Sequence, residues 1–301
     1  AFKKFPASIT IIGNKNAILS RAKQHKRNLI FTEKIRSHPG NGELKIMHLD
    51  YKNPVICGKL DKNNSLQQLK GLKKSIALCL ANKFDALITL PIHKKILTTE
   101  KSKFTGHTEY IANACNAKGN EVMLLASNQL NVALATTHIA LKDIPRQITK
   151  KSLCHTINTL HDELKNKFNI SQPKITVTGL NPHSGEDGEF GDEEIRIIKP
   201  AVDKMKGLGI SIKGPIPADT AFTPKLISKT DCFLAMYHDQ GLSAFKALTF
   251  GKGVNVTLGL PIIRTSVDHG TGLDIAGSTK IDPSSLFESI KLAINLVNNQ
   301  H

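Results

Sequence analysis

The sequence of 301 residues contains no tryptophan, and only 5% of its residues are aromatic. Proteins that bind single-stranded nucleic acid need aromatic side chains on which bases stack, so this scarcity argues against that class. The formal net charge of +16 would attract phosphate, but the 41 Lys and Arg residues are spread along the whole chain. We interpret the charge as a lysine-rich surface on a protein with anionic ligands, and expect no nucleic-acid partner.

Paired cysteines and long apolar runs are also missing. The five cysteines lie far apart without a CxxC pair, which indicates neither a disulfide framework nor a zinc ribbon. No stretch approaches the roughly 18 apolar residues of a membrane span. Residues Ala1–Pro6 carry no signal-peptide pattern. These absences predict a cytoplasmic protein with no membrane partner.

The common nucleotide-binding motifs are absent as well. No GxGxxG follows an apolar run, and no GxxxxGK[ST] occurs. A standard Rossmann or P-loop nucleotide site is therefore not supported.

Short apolar runs rich in β-branched residues alternate with longer amphipathic stretches. This alternation predicts an α/β protein with mostly parallel sheets. The predicted strands are Ser8–Gly13, Leu44–Leu49, Ala86–Pro91, Glu121–Ala126, Asn131–Thr136, Lys174–Gly179, Asp231–Tyr237 and Gly253–Leu258. The predicted helices are Asn64–Phe84, Lys150–Phe168, Glu193–Met205 and a last one that begins near Asp282-Pro283 and runs to about Asn298.

Polar loops at the ends of the predicted strands hold histidines, and open α/β folds bind ligands at such loops. His138, His183 and His238 each follow a strand, and His269 lies in a further polar segment. Three neutral imidazoles with open positions for a substrate suit Zn²⁺, Co²⁺ or a similar ion. Hydrogen-bonded or solvated histidines would give the same pattern, so the spacing alone leaves both interpretations open.

Glycines and basic residues accompany these histidines. The stretch Gly179–Asp192 holds four glycines, which permit close approach of the backbone to a ligand. Lys246 and Arg264 lie beside the polar loops, where Lys offers a point charge and Arg a bidentate fork to phosphate or carboxylate. A small anionic ligand is therefore the favoured interpretation, with a linker and a solvated surface as alternatives.

Several long motifs occur together in one order along the chain. They are Thr105-Gly-His107-Thr108-Glu109, Thr136-Thr-His138, Gly179-Leu-Asn-Pro-His183-Ser-Gly-Glu, Gly214-Pro-Ile-Pro-Ala-Asp219-Thr220, Tyr237-His238-Asp-Gln-Gly-Leu242 and Gly253-Val-Asn255-Val-Thr-Leu-Gly-Leu-Pro-Ile-Ile-Arg264-Thr-Ser-Val-Asp268-His269-Gly-Thr271. In these motifs the chain resembles the 4-hydroxythreonine-4-phosphate dehydrogenase family of pyridoxine biosynthesis.

The resemblance implies a fold of two α/β/α domains with a cleft between them, similar to isocitrate and isopropylmalate dehydrogenases. That fold binds NAD without the classical Rossmann fingerprint. We expect the first domain to comprise residues 1–105 and 241–301. The second, residues 106–240, would carry the metal-ligand loops and the dimer contacts.

The resemblance also assigns site residues by position in this chain. It implies a homodimer whose active site is shared between subunits, with His238 expected to reach the metal from the neighbouring subunit, so that a monomer is inactive. The implied groups are the metal ligands His138, His183 and His238, the substrate contacts His107, Thr108, Lys246, Asn255 and Arg264, and the cofactor contacts Asp268, His269, Gly270, Thr271 and Asp274.

The implied reaction is the NAD- or NADP-dependent oxidation of 4-phosphooxy-L-threonine at C3, followed by decarboxylation to 3-amino-2-oxopropyl phosphate. Zn, Mg or Co would be the metal, and Asp239 or Lys246 would assist proton transfer, without a choice between them. Two other enzymes fit the residues: a dehydrogenase of a related acid such as threonate or erythronate 4-phosphate, and a three-histidine metallohydrolase that needs no NAD.

The chain departs from the family pattern at two points. The family opens with a strand and a turn of the kind Gly-x-Pro-Ala-Gly-Ile-Gly-Pro, which has no counterpart here, so the first βα unit is expected to be missing. Leu90-Pro91 also stands where the family more often has Gly-Pro, ahead of the basic Lys94.

Overall fold

The computed structural model describes residues 1–33, 36–97, 104, 106–249 and 251–300. Thr105 of the first motif, and with it the predicted domain boundary at residue 105, lies outside the described residues.

Two sheets form the framework of the described chain. A small parallel sheet has the order β1-β3-β2, and a mixed sheet of eight strands has the order β4-β11-β10-β5-β6-β9-β7-β8. The strands are β1 (Thr10–Gly13), β2 (Ile30–Phe31), β3 (Glu43–His48), β4 (Ala86–Thr89), β5 (Val122–Ala126), β6 (Asn131–Leu134), β7 (Ile175–Thr178), β8 (Ile212–Ile216), β9 (Cys232–Ala235), β10 (Val254–Leu258) and β11 (Ile263–Val267).

The helices cover both faces of the large sheet. They are α1 (Lys15–Gln24), α2 (Lys62–Leu80), α3 (Lys94–Leu97), α4 (His107–Ala114), α5 (Ile144–Gln147), α6 (Lys150–Asn166), α7 (Lys199–Gly207), α8 (Ala218–Ala221), α9 (Pro224–Ile227), α10 (His238–Thr249) and α11 (Ser284–Asn298). A short π-helical turn, Glu194–Ile198, leads directly into α7.

The inner strands of the large sheet are buried on both faces because their side chains point alternately toward two layers of helices. In β6, Ala133 packs with the apolar side chains of α6 and α7. Its neighbours Val132 and Leu134 pack on the other face with Phe245 of α10. Burial on both sides produces the near-continuous apolar runs seen in the sequence. The predicted α/β/α architecture is confirmed.

Every predicted strand and helix is present, but three strands and several helices, among them α1 and α10, were not predicted. The two-residue β2 is too short to give a pattern, and β8 contains Gly214 and Pro215, which break a strand signal. All five residues of β11 are buried, but the polar Arg264 and Ser266 interrupt the apolar run that would predict a buried strand. No described helix is long and apolar enough to cross a membrane.

Candidate functional site

Three adjacent parallel strands end at the same edge of the large sheet. Leu134 of β6 pairs with Ala235 of β9, and Leu234 of β9 pairs with Val177 of β7. His138, His238 and His183 follow these strands in that order, in loops defined as residues 135–138, 236–238 and 179–183. We call these segments the histidine loops.

His138 and His238 lie together. Their ring centroids are 5.6 Å apart and the rings are inclined by 44°. Burial lowers the pKa of His138, and the nearby Lys94 and His238 lower it further, against an opposing contribution from Glu109. A lowered pKa keeps this imidazole neutral near pH 7, the form that binds a metal.

Carboxylates orient two of the three imidazoles. Nδ1 of His238 is 2.7 Å from Asp239 Oδ1, and Nδ1 of His183 is 3.0 Å from Glu186 Oε2. Histidine ligands commonly donate one ring N–H to a carboxylate, which leaves the other nitrogen for the metal. In both residues Nε2 is the nitrogen left for a ligand. The donor chemistry of the histidine loops therefore fits a divalent transition metal.

His183 stands apart from the other two histidines. Its side chain is 64% exposed and contacts Phe190 edge-on, and the hydrogen bond that it donates to Glu186 raises its pKa. Within the described residues, no group of three His, Cys, Asp or Glu side chains could hold a metal ion. The resemblance implied that His238 comes from a neighbouring subunit. Within one chain, His238 lies beside His138 because β6 and β9 are adjacent.

The backbone after His183 takes an uncommon course. His183, Ser184, Gly185, Glu186 and Asp187 all have φ between 42° and 85°, the left-handed region that costs non-glycine residues energy. The buried carboxylate of Glu194 holds the start of this segment, accepting from the N–H of Leu180 at 2.7 Å and of Asn181 at 2.8 Å. The sequence predicted a glycine-rich loop that lets the backbone approach a ligand, and the structure shows in addition that Glu194 anchors the start of this loop.

A cavity of about 210 Å³ lies at the carboxyl ends of β4 and β11. Two predicted substrate contacts and three predicted cofactor contacts line this one cavity. The lining residues are Thr89, Leu90, Pro91, Ile92, His107, Arg264, Ser266, Val267, His269, Gly270 and Thr271.

Arg264 brings a positive charge into this cavity from β11. The residue is only 3% exposed, and its guanidinium donates to Thr257 Oγ1 at 2.9 Å and Thr89 Oγ1 at 2.8 Å. Its Nε has no hydrogen-bond partner in the described part of the chain. Burial lowers its pKa to about 10. A buried cation with an unused donor suits an anionic ligand group.

His107 faces the same cavity from the first turn of α4. Burial lowers its pKa to about 4, helped by the positive charges of Arg264 and Lys94. Its Nε2 is buried and unpartnered among the described residues. A neutral imidazole at this position offers a directional hydrogen bond to a ligand without adding charge.

The remaining predicted substrate and cofactor residues do not line this cavity. Lys246 of α10 forms an ion pair with Asp268 at 3.5 Å, and this links the helix of His238 to the segment that contains His269. The Oδ1 atom of Asn255 is buried without a partner in the described residues. Thr108 lies in the first turn of α4, and Asp274 lies exposed in the segment beyond Thr271.

Known proteins resemble the chain over most of its length. The model of the family described as pyridoxal phosphate biosynthetic protein PdxA matches residues 6–293. The chain belongs to the PdxA family. A 4-hydroxythreonine-4-phosphate dehydrogenase from Chromobacterium violaceum is 44% identical over 97% of this chain and 89% of its own length. One from Thioalkalivibrio sulfidiphilus is 47% identical over 86% of this chain and 78% of its own length.

A solved structure agrees with this membership. The 4-hydroxythreonine-4-phosphate dehydrogenase from Klebsiella pneumoniae superimposes with a TM-score of 0.87 at 31% identity. The match covers 97% of this chain and 91% of the Klebsiella chain. The α/β architecture is therefore that of the PdxA family.

Four residues of the site were not singled out from the sequence. Lys94 and Glu109 influence the pKa of His138 from α3 and α4, and Thr89 holds Arg264. Glu194 anchors the segment of His183 from 13 or 14 positions further along the chain. Lys94 and Glu109 stand in the quoted sequence motifs, where no role was assigned to them. The roles of Thr89 and Glu194 depend on partners that only the folded structure brings near.

Proposed function

We propose that this chain catalyses the NAD(P)-dependent oxidation of 4-phosphooxy-L-threonine at C3 and its decarboxylation to 3-amino-2-oxopropyl phosphate. The observation that carries the proposal is the cavity in which Arg264 and His107 meet His269, Gly270 and Thr271. An anion-binding side and a cofactor-binding side are what a dehydrogenase of a phosphorylated substrate needs. Family membership and the names of the relatives support the same activity.

The substrate's anionic groups would bind to the basic side of the cavity. Arg264 supplies the fixed charge and His107 a neutral hydrogen-bonding group, with Thr108, Asn255 and Lys246 as further substrate contacts. The segment with Asp268, His269, Gly270, Thr271 and Asp274 would hold the dinucleotide, either NAD or NADP. A bound nicotinamide would accept the hydride, which is chemistry of the cofactor rather than of the protein.

We assign the divalent metal, Zn, Mg or Co, to His138 and His238 of one subunit. His183 of the partner subunit would complete the set, since His183 lies apart from the pair within one chain. Exposed apolar side chains lie near both parts of the proposed metal site. Ile139 and Leu141 follow His138, and Phe190 and Ile195 follow His183. Their exposure supports a homodimer, in which a second copy would cover them. When bound, the metal would stabilise negative charge that develops on the substrate oxygen.

Proton transfer is assigned to Lys246 rather than to Asp239. The carboxylate of Asp239 is engaged with Nδ1 of His238, where it orients the imidazole. Lys246 lies on the same helix with its ammonium group near Asp268, beside the segment proposed for the cofactor.

The two predicted domains remain part of the proposal. Residues 1–105 and 241–301 would contribute β4, β10 and β11 to the large sheet, and residues 106–240 its other five strands. The domains would then meet at the antiparallel pair of β5 and β10. We also propose that the protein works in the cytoplasm.

The test measures NADH or NADPH formation by the purified protein after chelation and addition of single metals. With 4-phosphooxy-L-threonine we expect metal-dependent turnover. His183→Ala should abolish turnover and leave the circular dichroism spectrum unchanged, because His183 lies exposed on an anchored turn. Full activity of this variant would refute the metal assignment.

Parallel reactions distinguish the alternatives. Faster turnover of erythronate or threonate 4-phosphate would indicate a related substrate in the same site. Metal-dependent hydrolysis without any nicotinamide would instead indicate a metallohydrolase and contradict the proposal.

A further inference from the structure

One side chain connects the strand ends that lead to His183 and His238. Gln240, in the first turn of α10, accepts hydrogen bonds at its Oε1 from Thr178 Oγ1 and from the N–H of Met236, each at 2.7 Å. Its Nε2 donates to the carbonyl of Gly179, also at 2.7 Å. Gln240 thus bridges the end of β7 to the end of β9.

The third histidine loop joins the same network. Thr136 donates to the carbonyl of Met236 from its Oγ1 at 2.7 Å and from its N–H at 3.2 Å. A continuous path of hydrogen bonds therefore runs from Thr136 through Met236 and Gln240 to Gly179. Each histidine lies only two to four residues beyond one of these backbone groups, so the path sets the spacing of all three loops.

The approach of α10 to the sheet depends on the glycine next to Gln240. A Cβ at Gly241 would lie 2.7 Å from a side-chain carbon of Val132 and 3.0 Å from those of Ala235 and Leu134. The absence of a side chain here lets the helix start close to β6 and β9. Gln240 can then reach all three of its partners, which a larger residue at position 241 would prevent.

We infer that Gln240 is a positioning residue for the three histidine loops. It holds the loops of His138 and His238 for one metal, and it holds the loop that offers His183 to the metal of the partner subunit. This role rests on the metal site of the proposed function. Partners around metal ligands typically contribute tenfold to a hundredfold in metal affinity. Gln240 acts on the backbone that carries the imidazoles rather than on the imidazoles themselves.

Two substitutions separate the hydrogen bonds from the bulk of the side chain. Gln240→Met keeps the length and removes all three hydrogen bonds. Gln240→Glu keeps the acceptor for Thr178 and Met236 and sets a carboxylate oxygen against the carbonyl of Gly179. Gln129→Met is the matched control, because Gln129 is exposed in the turn between β5 and β6, at the opposite edge of the sheet.

The experiment titrates the metal-free protein with Co²⁺ and follows its visible absorption. We expect Gln240→Met to weaken Co²⁺ binding about tenfold or more, Gln240→Glu to weaken it less, and Gln129→Met to leave it within about twofold. Hydrogen exchange of residues 179–188 in the metal-free protein should be faster in Gln240→Met. Saturating Co²⁺ should restore kcat, since the variant is defective in assembling the site and not in the reaction.

The outcomes that overturn this role differ from those that overturn the proposed function. A wild-type protein that binds no Co²⁺ refutes the metal site itself. If the wild type binds Co²⁺ and both Gln240 variants bind it equally well, only the role of Gln240 fails. Should Gln240→Met not fold, Gln240→Glu decides. A kcat that stays low at saturating Co²⁺ also rules out a role confined to positioning.

Discussion

Arg264 is a cation in the interior of the protein, and its hydrogen bonds explain why it is tolerated there. The two terminal nitrogens of the guanidinium donate to Thr257 and Thr89, while Nε has no hydrogen-bond partner in the described residues. A buried charge without a carboxylate partner is costly, so an anionic ligand would complete it. Its burial is better explained by ligand binding than by stability.

Replacing Arg264 with Met should therefore separate function from stability. We expect kcat/KM for the phosphorylated substrate to fall roughly tenfold to a hundredfold, the usual contribution of hydrogen bonds to a charged group. The melting temperature should stay equal or rise, since apolar substitutes for buried ions are often neutral or stabilising. Arg146→Met, at an exposed position of α5, is the control. Unchanged kcat/KM in Arg264→Met would contradict the role in substrate binding.

Because the pKa of His107 is lowered to about 4, the free energy of unfolding should depend measurably on pH. Between pH 6.5 and 4 the unfolded protein binds a proton at this imidazole and the folded protein does not, so stability falls as the pH falls. From pH 7 to pH 5 the free energy of unfolding should drop by on the order of 2 kcal/mol more than in His107→Gln. Denaturant titrations measure the difference, and NMR should give a midpoint near 4. A midpoint near 6.5 would contradict the burial argument.

At the scale of elements, the π-helical turn before α7 determines the conformation of the segment with His183. Glu194 accepts from the N–H groups of Leu180 and Asn181 and from the side chain of Asn181. A Cβ at Gly185 would lie 2.9 Å from the Glu194 carboxylate, so this glycine permits the close contact. Turns of the π type recur at functional sites, where they reorient single side chains.

Removal of the Glu194 side chain should loosen this segment before it affects the core. Glu194→Ala leaves two N–H groups unsatisfied, which we expect to lower the free energy of unfolding by roughly 2–4 kcal/mol. Hydrogen exchange at Leu180 and Asn181 should accelerate most. Glu189→Ala, at an exposed position of the same segment, should change neither quantity. Equal exchange rates in both variants would exclude an anchoring role for Glu194.

Elements with a strong local pattern could be predicted from the sequence, and elements defined by distant partners could not. The stripe of Leu69, Leu72 and Ile76 indicates α2 because a buried helical face repeats every three to four residues. The place of His138 beside His238 follows from the pairing of β6 with β9, whose residues are about 100 positions apart. The residues that flank His138 and His238 in the sequence do not reveal that pairing. The conformation of residues 183–187 likewise depends on Glu194, which no local pattern reveals.

At the scale of the whole molecule, the proposed site combines two different surfaces. The carboxyl ends of β4 and β11 supply the anion cavity, and those of β6 and β9 supply the histidine pair. His183 follows the neighbouring β7 but is exposed to solvent, with Phe190 and Ile195 exposed nearby. In a dimer of two-fold symmetry, the His183 surface of each chain would face the histidine pair of the other chain. Each chain would then complete the metal site of the other.

Heterodimers of inactive variants test this arrangement directly. Chains with His183→Ala and His238→Ala, co-expressed with different affinity tags and purified through both, should recover about half of the wild-type activity, because one of two equivalent sites is then intact. Heterodimers of His138→Ala with His238→Ala should stay inactive, since both lesions fall on the same half of the site and each site contains one of them. Recovery in the second pair would mean that His138 and His238 serve different sites. A lack of recovery in the first pair would mean that the three histidines do not combine across subunits as proposed.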